Sequence, residues 1–252
     1  MCTFTAIALE NPEEKIVRLV FNRDELRTRK KALDPDIFQK GFSRCIMPLD
    51  AESRGTWMGV NDASLAFCLL NVNTFNRETS PVRKGLLSRG SIIPSLLECR
   101  DLNAVRNRME NISPENYPGF RLICLDAEKM DCETYTWDEK TMQQNQFSWR
   151  GDPLFYTSSG LGDEYVFLPR QEIFSETFRK FDGSQKYRKI QDEFHMQRDE
   201  DRKDVSVFME RKNALTVSRS VIEIRKSRIL FQYFSPADAE DPVLQSLDLQ
   251  SI

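Results

Sequence analysis

Histidine is almost absent from this sequence of 252 residues, which contains only His195. Six cysteines are present, but no two form a C-x-x-C pair and none has a histidine near it in sequence. These spacings argue against a zinc site and a disulfide framework, and a Ser-His-Asp arrangement would depend on the one histidine. The sequence therefore predicts no metal and no cofactor, and its scattered thiols favour a reducing cytoplasm. The cysteines are Cys2, Cys45, Cys68, Cys99, Cys124 and Cys132.

Long apolar runs and a surplus of positive charge are also missing. No stretch approaches the roughly 20 apolar residues of a membrane-spanning helix, and the N-terminus lacks the basic stretch and apolar run of a signal peptide. Lysine and arginine number 36 against 39 aspartate and glutamate, so the formal net charge is −3. Such a chain has no general attraction to phosphate backbones or anionic lipid. We therefore expect no membrane span and no nucleic-acid partner.

What the chain does have is the composition of an ordinary globular protein. Hydrophobic residues make up 40% and charged residues 30%, with 10 Gly, 11 Pro and no low-complexity tract. A chain of this length can bury a substantial core, and we find neither a clear linker nor an internal repeat. We expect one domain over residues 1–252.

The apolar pattern predicts strands in groups, each group followed by helices. Alternating and β-branched segments predict hairpins over residues 2–9 and 15–22 and over residues 56–61 and 65–72, with a charged, proline-broken segment over 24–40. Further strands are predicted over residues 120–125, 133–137, 146–149, 215–224 and 229–234. Helical spacing covers residues 88–109, 171–181 and 186–198. We interpret His195, in a polar part of the last helix, as solvent-facing. This order predicts two packed sheets with helices outside.

Cys2 opens the first predicted strand, directly after Met1. Cysteine is the most capable side-chain nucleophile near neutral pH, but it needs a base or a depressed pKa. If Met1 is removed, the α-amino group of Cys2, whose ordinary pKa is about 8, can accept the thiol proton. The alternative is an inert buried residue of an edge strand, and the dipeptide alone leaves both interpretations open.

Arg23 and Asp24 lie at the end of the second predicted strand. Antiparallel pairing would place them across from the start of the first strand, with the guanidinium near the Cys2 thiolate and the carboxylate near its ammonium group. A cation favours the thiolate, and a carboxylate can orient the amine. Several further charged residues follow, so an exposed charged turn is the alternative.

Taken together, these segments resemble the NRDE proteins, a family whose eukaryotic members are called transport and Golgi organisation protein 2. The matching motifs are Met1-Cys2, Asn22-Arg23-Asp24-Glu25, Gly55-Thr56-Trp57-Met58-Gly59-Val60-Asn61 with Leu70-Asn71, and Ser88-Arg89-Gly90. Two later segments, Thr157-Ser158-Ser159 and Ser218-Arg219-Ser220-Val221, stand where the family has further motifs. The family in turn resembles the N-terminal nucleophile hydrolases, in the cysteine branch that contains bile-salt hydrolases and penicillin V acylases.

The resemblance implies an α+β fold, a four-layer αββα sandwich of two mostly antiparallel sheets. It also implies that Cys2 attacks an amide, that Arg23 and Asp24 support it, and that Asn71 helps to bind the oxyanion. A strand-end carboxamide suits that task because it can point a neutral N–H donor into a cleft. The implied substrate-binding residues are Asn22, Trp57, Ser159 and Arg219.

Each of these assignments has a plainer alternative. Asn71 reads equally well as a satisfied turn or edge residue, Trp57 as part of the core, and Arg219 as a surface arginine in a late strand. Ser158-Ser159 also departs from the family pattern, which has a second asparagine there. A serine hydroxyl is a shorter and less fixed donor than a carboxamide.

Two classes of function follow. The first is a hydrolase that cleaves the C–N (amide) bond of a small non-peptide molecule, with Cys2 as nucleophile. The second is a non-enzymatic binding or trafficking protein for an apolar ligand, either haem or an acyl or lipid molecule, which the family resemblance implies. The state of the N-terminus separates them, because a retained Met1 would block the amine of Cys2.

Overall fold

Two antiparallel sheets carry the fold in the computed structural model, which describes residues 2–73, 85–149 and 152–249. The strands are β1 Cys2–Glu10, β2 Lys15–Leu26, β3 Leu33–Lys40, β4 Ser43–Leu49, β5 Met58–Asn61, β6 Leu65–Asn71, β7 Phe120–Asp126, β8 Asp131–Trp137, β9 Met142–Ser148, β10 Leu154–Ser158, β11 Ala214–Ile224, β12 Arg228–Phe234 and β13 Val243–Asp248. The helices are α1 Ile92–Leu96, α2 Leu102–Met109, α3 Asp163–Phe178 and α4 Tyr187–His195, with 3₁₀ helices at Arg89–Ser91 and Pro114–Asn116.

Each sheet is built around a predicted hairpin. In the first sheet the strand order is β10-β1-β2-β11-β12-β13, and in the second it is β3-β4-β5-β6-β7-β8-β9. The β1–β2 hairpin pairs Cys2 with Arg23 at its open end and Glu10 with Lys15 at its turn. Because β1 lies between β10 and β2, Cys2 begins an inner strand and not a frayed edge, as the nucleophile hypothesis requires.

The side chains of these strands fill three apolar layers. Alternate residues of β1 such as Phe4 and Ala6 meet Val60 and Ala66 of the second sheet between the two sheets. The opposite face of the first sheet packs under α3 and α4, and the outer face of the second sheet packs under α1 and α2. With both faces of the inner strands buried, a continuous apolar run is favoured over strict alternation. The predicted α+β sandwich, with helices outside both sheets, is confirmed.

The segment over residues 24–40 differs most from the prediction, because it contains the end of β2 and all of β3. Charge and Pro35 obscure β3, and its pairing with β4 shifts between Leu33 and Asp36. Proline is tolerated there because β3 is an edge strand, where one side of the backbone needs no ladder hydrogen bonds.

Two glycines from separate motifs meet in the second sheet. A Cβ atom added to Gly55 would lie 2.5 Å from the backbone carbon of Gly90, far inside van der Waals contact. The same approach lets Thr56 N–H donate to Gly90 O at 2.9 Å. This close backbone contact fixes the segment that leads into Trp57, and it gives a physical reason for both glycines.

No helix in the part of the chain that the structure describes is long and apolar enough to cross a membrane. Within the same ranges, no group of three or more His, Cys, Asp and Glu side chains is placed to hold a metal ion.

Candidate active site

One row of side chains crosses four strands of the first sheet and includes Cys2. The register pairs Cys2 with Ser158 of β10 and with Arg23 of β2, and pairs Arg23 with Ser218 of β11. Residues directly opposite each other in antiparallel strands share a face. Since Cys2 belongs to the cluster between the sheets, all four residues lie on that inner face. The predicted cross-strand placement of Arg23 is therefore confirmed.

Cys2 is buried, with 7% of its surface exposed. Burial raises the pKa of the thiol, the nearby Asp24 carboxylate raises it further, and Arg23 acts in the opposite direction. The thiol is therefore neutral in this arrangement, and forming the thiolate requires a base close to the sulfur.

Arg23 is held in place from two sides. Its Nη2 lies 2.7 Å from Asp50 Oδ2, and its guanidinium carbon lies 4.3 Å from the centroid of the Trp57 ring. Burial opposes the ionisation of Asp50, but hydrogen bonds from Arg29 and Ser53 hold the pKa of that carboxyl below its usual range. Asp50 therefore stays charged, and it fixes a cation directly across from Cys2.

Two buried polar atoms stand near this cation and the thiol. Ser158 Oγ and Trp57 Nε1 have no hydrogen-bond partner within the ranges that the structure describes. Buried donors are nearly always satisfied in native proteins, so such atoms point to a group that binds there. Both can donate a hydrogen bond, which suits a carbonyl oxygen or an oxyanion.

Asp24 follows Arg23 and points to the other face of the sheet. Its Oδ1 accepts a hydrogen bond from Thr216 Oγ1 at 2.6 Å, and its Oδ2 lies 3.9 Å from Arg170 Nη2. Burial raises the pKa of this carboxyl, whereas Arg170 and Thr216 act to lower it. Because Cys2 pairs with Arg23, the next residue of β2 lies beside the main-chain nitrogen of Cys2.

Arg170 of α3 is a buried cation that the sequence does not reveal. Only 1% of its side chain is exposed, and its Nη1 donates to Thr3 Oγ1 at 2.9 Å and to Thr157 Oγ1 at 2.8 Å. Thr157 Oγ1 in turn donates to the carbonyl oxygen of Cys2 at 3.2 Å. Arg170 thus ties together β1, β10 and Asp24. The predicted helix starts one residue after Arg170, so the amphipathic pattern gave no signal for it.

Asn22 and His195 form a second buried polar group on this outer face. Asn22 Nδ2 donates to the carbonyl oxygens of His195 and Val207, and Asn22 Oδ1 lies 3.1 Å from His195 Nδ1. Thr5 Oγ1 accepts from Gln191 Nε2 and lies 2.8 Å from His195 Nε2. Asn22 Oδ1 can only accept, so Nδ1–H donates to it, and in the neutral imidazole Nε2 then accepts from the Thr5 hydroxyl. The imidazole is neutral.

The interpretation of His195 as solvent-facing is wrong, since its side chain is 0% exposed. The physical reason is that the polar residues around it meet other polar residues of β1 and β2 rather than water. For Asn22, the side chain lies on the face of the sheet opposite Cys2, and its substrate-binding role stays a prediction.

The other predicted substrate contacts are spread over the fold. Arg219 pairs with Asn22, lies on the same outer face, and places Nη1 2.9 Å from Asp192 Oδ1. Ser159 precedes α3, where its backbone N–H donates to Asp163 Oδ1 at 2.8 Å. Trp57 packs in the core between the sheets, against Arg23. The substrate-binding roles of Arg219, Ser159 and Trp57 stay predictions.

Asn71 ends β6 in the second sheet and is half-buried. It pairs with Phe120, whose ring lies in the cluster under α1 and α2, while the preceding Leu70 lies between the sheets. Strand alternation therefore directs Asn71 toward the α1–α2 side. The residues brought together around Cys2 are Arg23, Asp24, Trp57 and Ser158, and the oxyanion role of Asn71 stays a prediction.

We expect the free energy of unfolding to fall as the pH drops below about 6.5, the ordinary pKa of histidine. Burial, with added repulsion from Arg219 and Arg18, holds the pKa of His195 well below that value. The unfolded chain therefore binds a proton that the folded chain does not, and stability present above pH 6.5 is lost below it. From pH 7.5 to 5.5 this one group contributes about 1.4 kcal/mol.

Urea unfolding of the wild type and of His195→Gln at both pH values measures this contribution. The variant should lose less stability than the wild type by about that 1.4 kcal/mol. Because the chain has only one histidine, the difference between the two proteins isolates it from the carboxylates. Equal pH dependence in both proteins would contradict the neutral, buried imidazole.

Three solved structures resemble the whole fold. Conjugated bile acid hydrolase from Clostridium perfringens, as its C2A mutant, matches with a TM-score of 0.55 and 11% identity, over 98% of this chain and 92% of that chain. Penicillin V acylase from Agrobacterium tumefaciens matches with a TM-score of 0.51 and 12% identity, over 98% of this chain and 86% of that chain. The Caenorhabditis elegans orthologue of N-acylethanolamine-hydrolyzing acid amidase matches with a TM-score of 0.55 and 14% identity, over 86% of this chain and 92% of that chain.

These likenesses, at such low identity, define the fold: this is a protein of the N-terminal nucleophile hydrolase fold. The chain belongs to the family described as Transport and Golgi organisation 2, whose sequence profile matches residues 1–233. A search of the curated proteins finds no match. The resemblance drawn from the motifs is thus confirmed for both the family and the fold.

Proposed function

We propose that this protein is an N-terminal-cysteine hydrolase that cleaves the C–N (amide) bond of a small non-peptide molecule. The observation that carries the proposal is the position of Cys2. It starts an inner strand, and Arg23 stands directly across from it with a guanidinium group that Asp50 holds in place. An inert core cysteine needs no charged neighbour.

The proposed reaction begins with an N-terminus at Cys2. Removal of Met1, which lies outside the described residues, gives Cys2 a free α-amino group beside the Asp24 carboxylate. The amine takes the thiol proton, and the sulfur attacks the carbonyl carbon of the amide to form a tetrahedral oxyanion. Collapse of that intermediate breaks the C–N bond, and the protonated amine gives its proton to the leaving nitrogen. Water then hydrolyses the thioester, which releases the acid and restores the thiol.

Arg23 and Asp24 have separate roles in this scheme. Arg23, fixed by Asp50, favours the thiolate that burial disfavours. Asp24 orients the amine, and Arg170, 3.9 Å away, favours the charged form of that carboxyl, which burial disfavours. Ser158 Oγ and Trp57 Nε1 supply donors on the face of Cys2.

Two further observations agree with this assignment. The three similar structures are described as a hydrolase, an acylase and an amidase, and we extend that class of chemistry to this chain as a proposal. All six cysteines are free thiols, which fits a reducing compartment, and we propose the cytoplasm.

The proposal predicts a mature chain that lacks Met1 and acylates itself at residue 2. Intact-mass spectrometry of the purified protein should show the loss of one methionine. After incubation with an activated acyl donor, peptide mapping should place the acyl group on Cys2, and a panel of N-acyl amides should release free amine. A retained Met1, or acylation at another of the six thiols instead, would contradict the hydrolase assignment.

A second candidate is a binding protein that uses the same fold for haem or for an acyl or lipid ligand. The raised pKa of the Cys2 thiol favours it, since a neutral buried thiol is a poor nucleophile. This candidate replaces the first if Met1 is absent, no amide is hydrolysed, and such a ligand binds equally well to Cys2→Ala.

A further inference from the structure

A cavity of about 490 Å³ opens on the outer face of the first sheet, beside α4. Arginines dominate its lining: Arg18 from β2, Arg188 from α4, Arg219 from β11, and Arg225 just after β11. Arg18 and Arg219 are buried, with 3% and 9% of their side chains exposed, whereas Arg188 and Arg225 are partly exposed. The arrangement places two guanidinium groups at the floor of the cavity and two at its rim.

Two carboxylates in the lining serve all four arginines. Asp192 lies 2.8 Å from Arg18 Nη2 and 2.9 Å from Arg219 Nη1. Glu223 lies 3.2 Å from Arg18 Nε, 3.0 Å from Arg188 Nε and 3.1 Å from Arg225 Nη2. With four arginines and two carboxylates, the lining has a net charge of +2. Glu14, which lies outside the lining, pairs with Arg225, and the site still has a net charge of +1 when it is included.

The surplus charge comes with donors that the protein does not use. Within the described ranges, Arg219 Nη2 and Arg188 Nη1 have no hydrogen-bond acceptor, and Arg188 Nε, although 3.0 Å from Glu223, makes no hydrogen bond either. The remaining nitrogens of both groups donate hydrogen bonds. A guanidinium group loses hydration when it is buried, and burial together with the repulsion from Arg18 lowers the pKa of Arg219. An anion that accepts from these nitrogens would offset both costs.

The cavity also has an apolar wall. The ring centroid of Phe234 lies 4.0 Å from the central carbon of the Arg219 guanidinium. Leu230 lies four residues earlier on β12 and therefore on the same face of the sheet. A volume of this size is within the roughly 300 to 1,000 Å³ range of small-molecule sites. Inorganic phosphate alone would leave most of it unfilled.

We infer that this cavity binds a small molecule that carries a phosphate or carboxylate group next to an apolar portion. The anionic group accepts hydrogen bonds from Arg219 and Arg188, and the apolar portion packs against Phe234 and Leu230. This site lies on the face of the sheet opposite Cys2, so it is separate from the proposed hydrolase site and does not depend on that activity.

Isothermal titration calorimetry at constant ionic strength tests the inference with phenyl phosphate, benzoate and inorganic phosphate. Phenyl phosphate or benzoate should bind with saturation, and the tighter of the two identifies the anionic group. Inorganic phosphate should bind at least about threefold more weakly than phenyl phosphate, because it lacks the apolar contact. Equal affinity for inorganic phosphate and phenyl phosphate, or no saturable binding by any of the three probes, would overturn the inference.

Arg188→Gln should weaken the better aromatic probe about tenfold or more, the effect of losing a charge-assisted hydrogen bond. Arg108→Gln is the matched control. Arg108 lies on α2, outside the second sheet and far from the cavity. It is 45% exposed against 38% for Arg188, and it pairs with Glu98. An equal loss of affinity in both variants would mean non-specific charge attraction and would reject the site. If Arg188→Gln does not fold, Arg225→Gln takes its place, because it removes a positive charge from the same rim, and it should likewise weaken binding of the better aromatic probe while Arg108→Gln does not.

Discussion

Replacing Cys2 by serine is expected to lower kcat/KM for amide hydrolysis by at least about 10³-fold, as removal of a catalytic nucleophile does in other hydrolases. The hydroxyl is a far weaker nucleophile than the thiolate at neutral pH. Serine is the preferred change because Cys2 is buried, and alanine would leave a small cavity. Steady-state kinetics on the best amide of the panel measure the loss, and thermal unfolding verifies that the variant is folded.

Cys68→Ser is the matched control for this experiment. Cys68 lies in the same cluster between the sheets and is also buried, but it belongs to β6 and has no role in the proposed reaction. Its replacement tests what a hydroxyl costs in that core, so kcat/KM should stay within a few-fold of the wild type. If both serine variants lose activity alike, the loss reflects packing and Cys2 is not the nucleophile.

Replacing Arg170 by methionine is expected to lower the free energy of unfolding by about 3–5 kcal/mol, because it leaves the buried Asp24 carboxylate without its main countercharge. The change also removes the donor shared by Thr3 and Thr157. Urea unfolding at pH 7 measures the effect. A cost below about 1 kcal/mol, typical of a surface pair, would contradict the described packing.

The dependence of this cost on Asp24 can be isolated in two ways. In an Asp24→Asn background the carboxylate is absent, so Arg170→Met should cost clearly less than it does alone. Burial already raises the pKa of Asp24, and loss of Arg170 raises it further. In Arg170→Met, the loss of unfolding free energy that comes from Asp24 is therefore absent below about 3.9, the pKa of Asp24 in the unfolded chain. It grows as the pH rises through the pKa of Asp24 in the folded protein. Identical costs in both backgrounds, at every pH, would mean that the two side chains do not interact.

Most inner strands could be predicted from the sequence because their chemistry is local, but the buried inner strand β4 was not predicted. β-Branched and apolar runs separated by Asn11-Pro12 define the first hairpin, and a tight hairpin fixes its own register, which set Arg23 across from Cys2. The edge strands β3 and β13 were harder. Both strands bury little apolar surface, so neither sequence shows a clear alternation of apolar and polar residues.

The outer half of the site could not be predicted for a different reason. Arg170 and His195 are buried because they meet polar partners more than 150 residues away, such as Thr3 and Thr5. A polar residue on a helix is ordinarily solvated, and only the tertiary structure shows where two polar faces satisfy each other. Asn22 illustrates the same limit, because its motif signalled importance while its contacts are with α4 and Val207.

The position of β1 between β2 and β10 also sets an order of events during synthesis. β10 and β11 lie more than 150 residues after Cys2, so the first sheet can close around β1 only when most of the chain has emerged. Until then the N-terminus is accessible to an aminopeptidase, and after closure Cys2 is buried. Ribosomes add about 5–20 residues per second, so this interval lasts on the order of ten seconds or more. Removal of Met1, where it occurs, is therefore an event of the growing chain.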